Sequence, residues 1–316
     1  MATRVTTDWL ERHMPFPRRF VSVGEGRLHV IDDGPRDGPP LVMLHGNPTW
    51  SFHFREVIRA FGSTNRVVAV DHLGCGGSDK PPDGSYRLET HIRNVIRVMD
   101  ELEVRGATLM VHDWGGAIGM GAALERPDLF ERFIVTNTAA FPSRSMPFSI
   151  GLCRIPGFGA LAVRGLNAFA RGALWRCVVK RSRLTSEVES GYLAPYGSWA
   201  DRVALHRFVQ DIPMSPAHPS YDRLRKIGEE LHRLQERPML IVWGGRDFCF
   251  HEEFFAEWRR RFPRAEAHFL EDCGHYVLED GHEHLLPLVE AFLQKETSEV
   301  PVRSPPAGAT ISEAAK

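Results

Sequence analysis

The sequence lacks the features that mark secreted, membrane-spanning and nucleic-acid-binding proteins. Its first twenty residues contain no apolar core of signal-peptide length, and no stretch approaches the ~18 uncharged apolar residues of a membrane span. Neither sign of charge is in excess, because 39 Lys and Arg face 40 Asp and Glu for a formal net charge of −1. This balance removes the electrostatic case for nucleic acid or an anionic membrane surface as a partner, and no run of basic residues restores it.

Cysteine is scarce and scattered. The five cysteines are odd in number, and none forms a CxxC pair or a zinc-type spacing. We therefore predict reduced thiols in a cytoplasmic protein. The sequence also gives no sign of a metal ion or an organic cofactor, and we predict neither.

Short apolar runs alternate with longer helical patterns along most of the 316 residues. The runs are rich in Val, Ile and Leu without strict alternation, which is typical of parallel strands buried on both faces. This order predicts a doubly wound α/β fold. Between Asn137 and Pro238 the alternation stops for about a hundred residues, which is too long for a loop. We predict a helical insertion over the carboxyl ends of the strands, where ligands bind in such folds.

The chain is accordingly divided into four parts. Residues 1–140 and 231–295 are predicted to form the core, residues 141–230 a helical cap, and residues 296–316, rich in Pro, Ala, Ser and Thr, a disordered tail. Some of the cap's large apolar side chains are expected to line a cavity and others to form the cap's own core. Its arginines are expected on the outer face: Arg144, Arg154, Arg164, Arg171 and Arg176.

The central motif is VHDWGG at residues 111–116. An apolar strand runs into Asp113 and then into a helix rich in small residues, which is the form of a nucleophile elbow with aspartate in place of the usual serine. A carboxylate nucleophile would give an ester or anhydride intermediate. The alternative, that Asp113 only caps the following helix, is weakened by Gly115 and Gly116 and by the other motifs.

Three further residues complete a catalytic set. Asn47 follows the strand that ends in LHG, at the loop that contributes to the oxyanion hole in this kind of fold. Asp247 in GGRDFCF and His275 in EDCGHYV each follow a predicted strand. The order of nucleophile, acid and histidine along the chain indicates a triad in which His275 is the general base and Asp247 orients it.

HGNPTW, DHLGCGGSDKP, HDWGG and the closing GH resemble the α/β-hydrolase superfamily and, more closely, the haloalkane dehalogenase family. The resemblance covers roughly residues 20–295. It implies an α/β-hydrolase fold with a mostly parallel eight-stranded sheet flanked by helices and a helical cap inserted after the sixth strand. It also implies that Asn47 and Trp114 donate side-chain N–H groups to the leaving group. One subgroup carries the triad acid as Glu after the sixth strand, where this chain has Asn137, so Asp247 is assigned that role.

The cap segments are similar to the β-lactone decarboxylases of bacterial long-chain olefin biosynthesis. The similarity is carried by NTAAFP, VRGLNAFARGA and YLAPYGSWADRVALHRFVQDIP, together with GGRDFCF. It implies a cis-3,4-dialkyl β-lactone as substrate, a cis-alkene and carbon dioxide as products, and partner enzymes that make the lactone. Asn47 and Trp114 would then hold the lactone carboxyl in place of halide.

Three reactions remain open at this point. Attack of Asp113 on a β-lactone at the carbonyl carbon and attack at the ring carbon bonded to oxygen are both compatible with the sequence. Hydrolytic dehalogenation of a haloalkane uses the same residues. Epoxide hydrolysis would need two tyrosines from the cap, for which Tyr192 and Tyr196 are candidates, although Asn47 argues against it. A ligand receptor of the same fold is disfavoured because the triad is complete.

Overall fold

Eight β-strands form one sheet across the part of the chain that the structure describes. The structure is a computed structural model and describes residue 9 and residues 12–295; the predicted disordered tail lies outside the described residues. The strands are β1 (Arg18–Val23), β2 (Gly26–Asp33), β3 (Pro40–Leu44), β4 (Arg66–Val70), β5 (Ala107–Asp113), β6 (Phe130–Thr138), β7 (Met239–Gly244) and β8 (Glu266–Leu270). Their order across the sheet is β1-β2-β4-β3-β5-β6-β7-β8.

The sheet is antiparallel only at one end. β1 pairs with β2 and β2 with β4 in antiparallel fashion, and all the other pairs are parallel. Every residue of β4, β5 and β7 is buried, as expected for Val- and Leu-rich strands covered on both faces. The carboxyl ends of β3, β5, β6 and β7 therefore meet at one edge of the sheet, and the loops that follow them converge there.

Helices cover both faces of the sheet. The core helices are α1 (Arg55–Phe61), α2 (Leu88–Glu101), α3 (Trp114–Glu125), α10 (Glu252–Arg261), α11 (Val277–Asp280) and α12 (His282–Gln294). Small residues let α3 lie close to the sheet, because a Cβ on Gly119 would approach the side chains of Leu109 and Val111 to 2.9 Å.

The long interval between β6 and β7 is helical. It holds α4 (Phe148–Leu152), α5 (Phe158–Ala160), which continues as the π-helix Leu161–Gly165, α6 (Ala168–Cys177), α7 (Ser186–Leu193), α8 (Val203–Gln210) and α9 (Tyr221–Glu230). The predicted insertion after the sixth strand is thus present as helices. Its division from the core at residues 141 and 230 stays a prediction.

Candidate active site

Asp113 lies at the junction of β5 and α3. It has φ 51° and ψ −125°, a conformation that a side chain rarely adopts. The turn needs glycine after it, because a Cβ on Gly115 would lie 2.0 Å from the carbonyl oxygen of Leu44. A Cβ on Gly116 would lie equally close, 2.0 Å, to Oγ1 of Thr138. The buried carboxylate makes no capping hydrogen bond to α3, so the interpretation of Asp113 as a simple helix cap is wrong.

The backbone of Asn47 holds one oxygen of this carboxylate. Its N–H donates to Oδ1 of Asp113 at 2.6 Å, and Gly46 leaves the space, since a Cβ there would lie 2.0 Å from the same oxygen. The other oxygen of the Asp113 carboxylate, Oδ2, faces His275. Burial raises the pKa of Asp113, and the nearby His275 and the Asn47 N–H oppose that shift.

The side chains of Asn47 and Trp114 line the same cavity as Asp113. Nδ2 of Asn47 donates to the carbonyl oxygen of Leu205 in α8 at 3.1 Å, which leaves the second amide hydrogen unused by that bond. Trp114 packs its ring against Phe208 with centroids 5.3 Å apart. The structure brings the two predicted donors together beside the carboxylate, and their function as donors stays a prediction.

His275 lies between two carboxylates. Its Nδ1 is 2.7 Å from Oδ2 of Asp247, and its Nε2 is 3.7 Å from Oδ2 of Asp113. An ionised Asp247 can only accept, so Nδ1 carries the proton and Nε2 faces the nucleophile position. Burial acts to lower the pKa of His275, but the two carboxylates outweigh it and the pKa is raised.

Asp247 is held in its ionised form by converging donors. Its Oδ1 accepts the backbone N–H groups of Cys249 at 2.6 Å and Phe250 at 3.0 Å. Burial acts to raise the pKa of Asp247, but His275 and these N–H groups outweigh burial and lower the pKa. The geometry of an Asp–His–Asp set is therefore present, with each member placed after a different strand.

Sequence reasoning missed two residues that position this set. Asn137, at φ 37° in β6, donates from Nδ2 to Oδ2 of Asp247 at 2.9 Å, and its Oδ1 accepts the N–H of Gly244 at 2.8 Å. Phe250 stacks on the imidazole of His275 with centroids 5.6 Å apart. The signal for Asn137 was available, since an amide follows the strand next to the one that carries the acid. From the sequence, Asn137 was noted only because it stands where one subgroup of the family carries Glu as the triad acid.

The two tyrosines considered for epoxide hydrolysis do not reach the cavity. Tyr192 is buried, and its hydroxyl contacts Nδ1 of His53 at 2.7 Å and donates to Glu279 at 2.9 Å. Tyr196 is buried as well and donates to the carbonyl oxygen of Thr49 at 3.1 Å. Neither lines the cavity that contains Asp113. The expectation that these tyrosines could protonate an epoxide is therefore wrong, because both hydroxyls are engaged between core and cap.

The cavity has a volume of about 390 Å³ and mostly apolar walls, within the ~300–1,000 Å³ typical of small-molecule sites. Asp113, His275, Asn47 and Trp114 form its polar end. The cap contributes apolar side chains to the walls: Met146, Ile150, Leu152, Phe158 and Phe169. Arg176, expected only on the outer face, is exposed but also lines the cavity.

The described residues, 9 and 12–295, contain no cluster of three or more His, Cys, Asp or Glu side chains placed to hold a metal ion. Within the same residues, no helix combines the length and the apolar character that crossing a bilayer requires. The five cysteines are unpaired thiols. His45 and His112 make hydrogen bonds to the backbone oxygens of Gly46 and His275, at 2.7 and 2.9 Å.

The fold and this site define a member of the α/β-hydrolase fold family, and the chain belongs to that family. Residues 39–282 match the family model described as alpha/beta hydrolase fold. A solved structure, a loop variant of a haloalkane dehalogenase from Bradyrhizobium elkanii, superposes with a TM-score of 0.79 at 24% identity, over 88% of this chain and 96% of that chain. The predicted fold is confirmed.

Two relatives narrow the class to haloalkane-dehalogenase-like enzymes. The chain is 39% identical over 290 residues to a cis-3-alkyl-4-alkyloxetan-2-one decarboxylase from Shewanella oneidensis, and the match covers 90% of each chain. It is 37% identical over 282 residues to a haloalkane dehalogenase from Mycolicibacterium paratuberculosis, covering 85% of this chain and 88% of that one. The predicted resemblance to both groups is confirmed.

Proposed function

We propose that this protein converts a cis-3,4-dialkyl β-lactone into a cis-alkene and carbon dioxide, with Asp113 as nucleophile. The observation that carries the proposal is a buried carboxylate with one oxygen fixed by the Asn47 N–H and the other facing an apolar cavity. Such a site suits a substrate with alkyl arms and one polar ring. The name of the Shewanella oneidensis relative supports the lactone as that ring.

In the reaction we propose, Oδ2 of Asp113 attacks the ring carbon bonded to the ring oxygen. That C–O bond breaks, and its electron pair remains on the substrate, which becomes a free carboxylate near Asn47 and Trp114. Loss of carbon dioxide then moves the electron pair of the broken C–C bond into the C=C bond. The ester bond to Asp113 breaks in the same step, so the aspartate carboxylate is regenerated without water and without a net proton.

Attack at the carbonyl carbon is the alternative route to the same products. It leaves the ring oxygen on the alkyl carbon, so that oxygen must depart as hydroxide while an oxygen of Asp113 enters carbon dioxide. The acyl group left on Asp113 must then regain an oxygen, either from solvent water or from the departing hydroxide. Turnover in ¹⁸O-labelled water therefore tests the ester route: the peptide containing Asp113 stays unlabelled if that route is followed, and an ¹⁸O atom in that peptide would contradict it.

In the proposed reaction, His275 and Asp247 stabilise negative charge and do not activate water. Because no water is consumed, the proposed role of His275 is electrostatic: its Nε2, 3.7 Å from Oδ2 of Asp113, faces the carboxylates that form during the reaction. Asp247 fixes the ring so that Nε2 faces Asp113.

Haloalkane dehalogenation is the second candidate, because the contact of 3.7 Å between Nε2 of His275 and Oδ2 of Asp113 also suits a histidine that activates water. The 37% identical relative has that activity in its name. Here the same ester would be hydrolysed, and His275→Ala should trap it as an added mass on the protein.

Gas chromatography of the purified protein with a synthetic cis-dialkyl β-lactone, beside 1-iodobutane, tests the two candidates directly. We expect rapid formation of a cis-alkene and slow release of iodide, both abolished in Asp113→Asn. Rapid iodide release without alkene would make the protein a dehalogenase instead. We further propose a cytoplasmic location beside the enzymes that form the lactone ring, which co-purification from the native host would test.

A further inference from the structure

The exposed large apolar side chains are concentrated in the cap. Seven of the eight such side chains among the described residues lie between residues 148 and 199. Phe158 lines the cavity, and five more lie within two residues along the chain of a lining residue; we call these six side chains the rim: Phe148, Ile155, Phe158, Leu161, Leu166 and Trp175. Scattered apolar residues on a surface need no explanation, but a group concentrated in the segment that walls a cavity does.

Helix α6 shows how the rim continues from the cavity wall. Ala168 and Gly172 line the cavity, and Trp175 lies seven and three residues after them, on the same side of the helix. The Trp175 side chain is 70% exposed. On this helix, apolar residues therefore extend from the cavity wall to the outside of the cap.

The charge of the same segment is one-sided. Residues 141–185 contain eight basic residues and no Asp or Glu, in a chain whose net charge is −1. Lys180 and Arg183 pair with Asp272 and Glu283 of the core. The other six basic residues have no carboxylate within ion-pair distance among residues 9 and 12–295: Arg144, Arg154, Arg164, Arg171, Arg176 and Arg181. The basic residues of this segment are spaced apart and form no run, so the balanced net charge of the chain conceals them.

We propose that the rim docks on the surface of an anionic lipid bilayer. Exposed Phe, Leu and Trp together with arginines that have no carboxylate partner are the composition of surfaces that lie in the membrane interface. The guanidinium of Arg181 lies 5.2 Å from the ring centroid of Trp175, and such amphipathic pairs suit the headgroup region. A second copy of this chain is a poorer occupant, because a two-fold contact would place the arginines of both copies against each other.

Docking would place the mouth of the cavity against the acyl chains. This part of the inference rests on the proposed function, since an alkyl-substituted lactone and its alkene product both partition into hydrocarbon. Substrate and product would then move between bilayer and cavity without crossing water. The docking itself depends only on the rim and its arginines.

Flotation with lipid vesicles tests the docking without any substrate. The full-length protein is mixed with phosphatidylcholine vesicles, with or without phosphatidylglycerol, at low and high salt. We expect binding to the anionic vesicles only, weakened by salt. Leu166→Ser with Trp175→Ser should weaken binding at least about tenfold, and Arg144→Gln with Arg171→Gln about 25-fold, from about fivefold for each arginine.

Matched control variants lie on the core. Phe20→Ser removes an exposed aromatic ring outside the cap, and Arg93→Gln with Arg97→Gln removes two exposed arginines of α2; all three substitutions should leave vesicle binding unchanged. The proposal is overturned if the parent protein does not float with anionic vesicles, or if core and rim variants lose binding equally. It is also overturned if light scattering shows that the rim variants break a protein–protein assembly while vesicle binding is absent.

The outcome is separable from that of the proposed reaction. Each rim variant is also assayed on a short-chain lactone that dissolves in water, where activity should equal that of the parent because none of the four substituted residues lines the cavity. Vesicle binding with no alkene formation would reject the proposed reaction and keep the docking. Alkene formation without vesicle binding would support the proposed reaction and reject the docking.

Discussion

The core carries charged side chains of both signs, whereas the cap segment 141–185 carries only basic ones. In the core, the buried Arg55 pairs with Glu279 and the buried Arg66 pairs with Asp32 at 2.9 Å. In the cap segment, six arginines have no carboxylate within 4 Å in the described part of the chain, and four of them donate instead to backbone or hydroxyl oxygens. A buried charge without a partner is costly, whereas an exposed one is not. The buried pairs of the core are thus required by folding, whereas the exposed Arg144 and Arg171 are not held by such a requirement.

The candidate active site lies where these two regions meet. Its polar end is built by loops of the core, which fix Asp113, Asp247 and His275 with backbone and side-chain hydrogen bonds. Much of its apolar wall comes from the cap. Chemistry and selectivity can therefore be changed separately. Substitutions in the core should change the rate of the reaction. Substitutions in the cap should change which substrate is bound and whether it enters from water or from a membrane.

Asp113→Asn should give the largest effect on the core side of the comparison. The amide is isosteric but is no nucleophile, so we expect kcat for alkene formation to fall by about 10⁴-fold or more. Gas chromatography measures this loss, and circular dichroism checks that the fold is intact. Asp211→Asn changes another buried carboxylate, one that accepts from Leu88 and Ser220 away from the cavity, and should keep most of the activity. Normal turnover by Asp113→Asn would remove Asp113 as nucleophile.

The sequence was sufficient for the parts of this picture that depend on strand order. The apolar runs and the positions of Asp113, Asp247 and His275 after three of them predicted a mostly parallel sheet and the meeting of these side chains. Contacts between side chains from different strands were harder to predict, and the available signal for Asn137 was not used. Asn137 contacts Asp247 only because β6 and β7 are neighbours, and Tyr192 was misjudged because its partner Glu279 is 87 residues away along the chain.

Asp247→Asn should destabilise the core by about 2–3 kcal/mol near neutral pH, because a charged hydrogen-bond acceptor in a buried network is lost. The folded-state pKa of Asp247 is lowered, so its carboxylate stabilises the fold above the unfolded value of about 3.9. That contribution is lost as the pH falls through the folded-state pKa. Urea unfolding of parent and variant from pH 7 down to pH 3 should therefore show a gap that narrows below about pH 4. A gap that widened in acid would contradict the assignment of Asp247 as the ionised member.

Asn137→Ala should have a smaller effect on the rate, about 10- to 100-fold in kcat with little change in KM, because it acts through Asp247 and touches no substrate. The Nδ2 donor to Asp247 is lost, so the acid limb of the pH–rate profile should also move to higher pH. Asn137→Asp keeps the size of the side chain but places a second carboxylate beside Asp247, and should move that limb further in the same direction. A change in stability with an unmoved pH profile would leave Asn137 as a structural residue only.

Arg144→Gln with Arg171→Gln should give the smallest effect, and it bears most directly on the comparison between the two regions. Both side chains are exposed and make no ion pair with a described residue, so we expect the free energy of unfolding to change by less than about 0.5 kcal/mol. Arg55→Gln is the matched substitution in the core, where the loss of a buried partner for Glu279 should cost about 3–5 kcal/mol. Urea unfolding of the two variants side by side measures the difference. If the two cap substitutions destabilised the protein as much as Arg55→Gln, the cap arginines would be part of the folded framework, and their surplus charge would no longer point to a partner outside the chain.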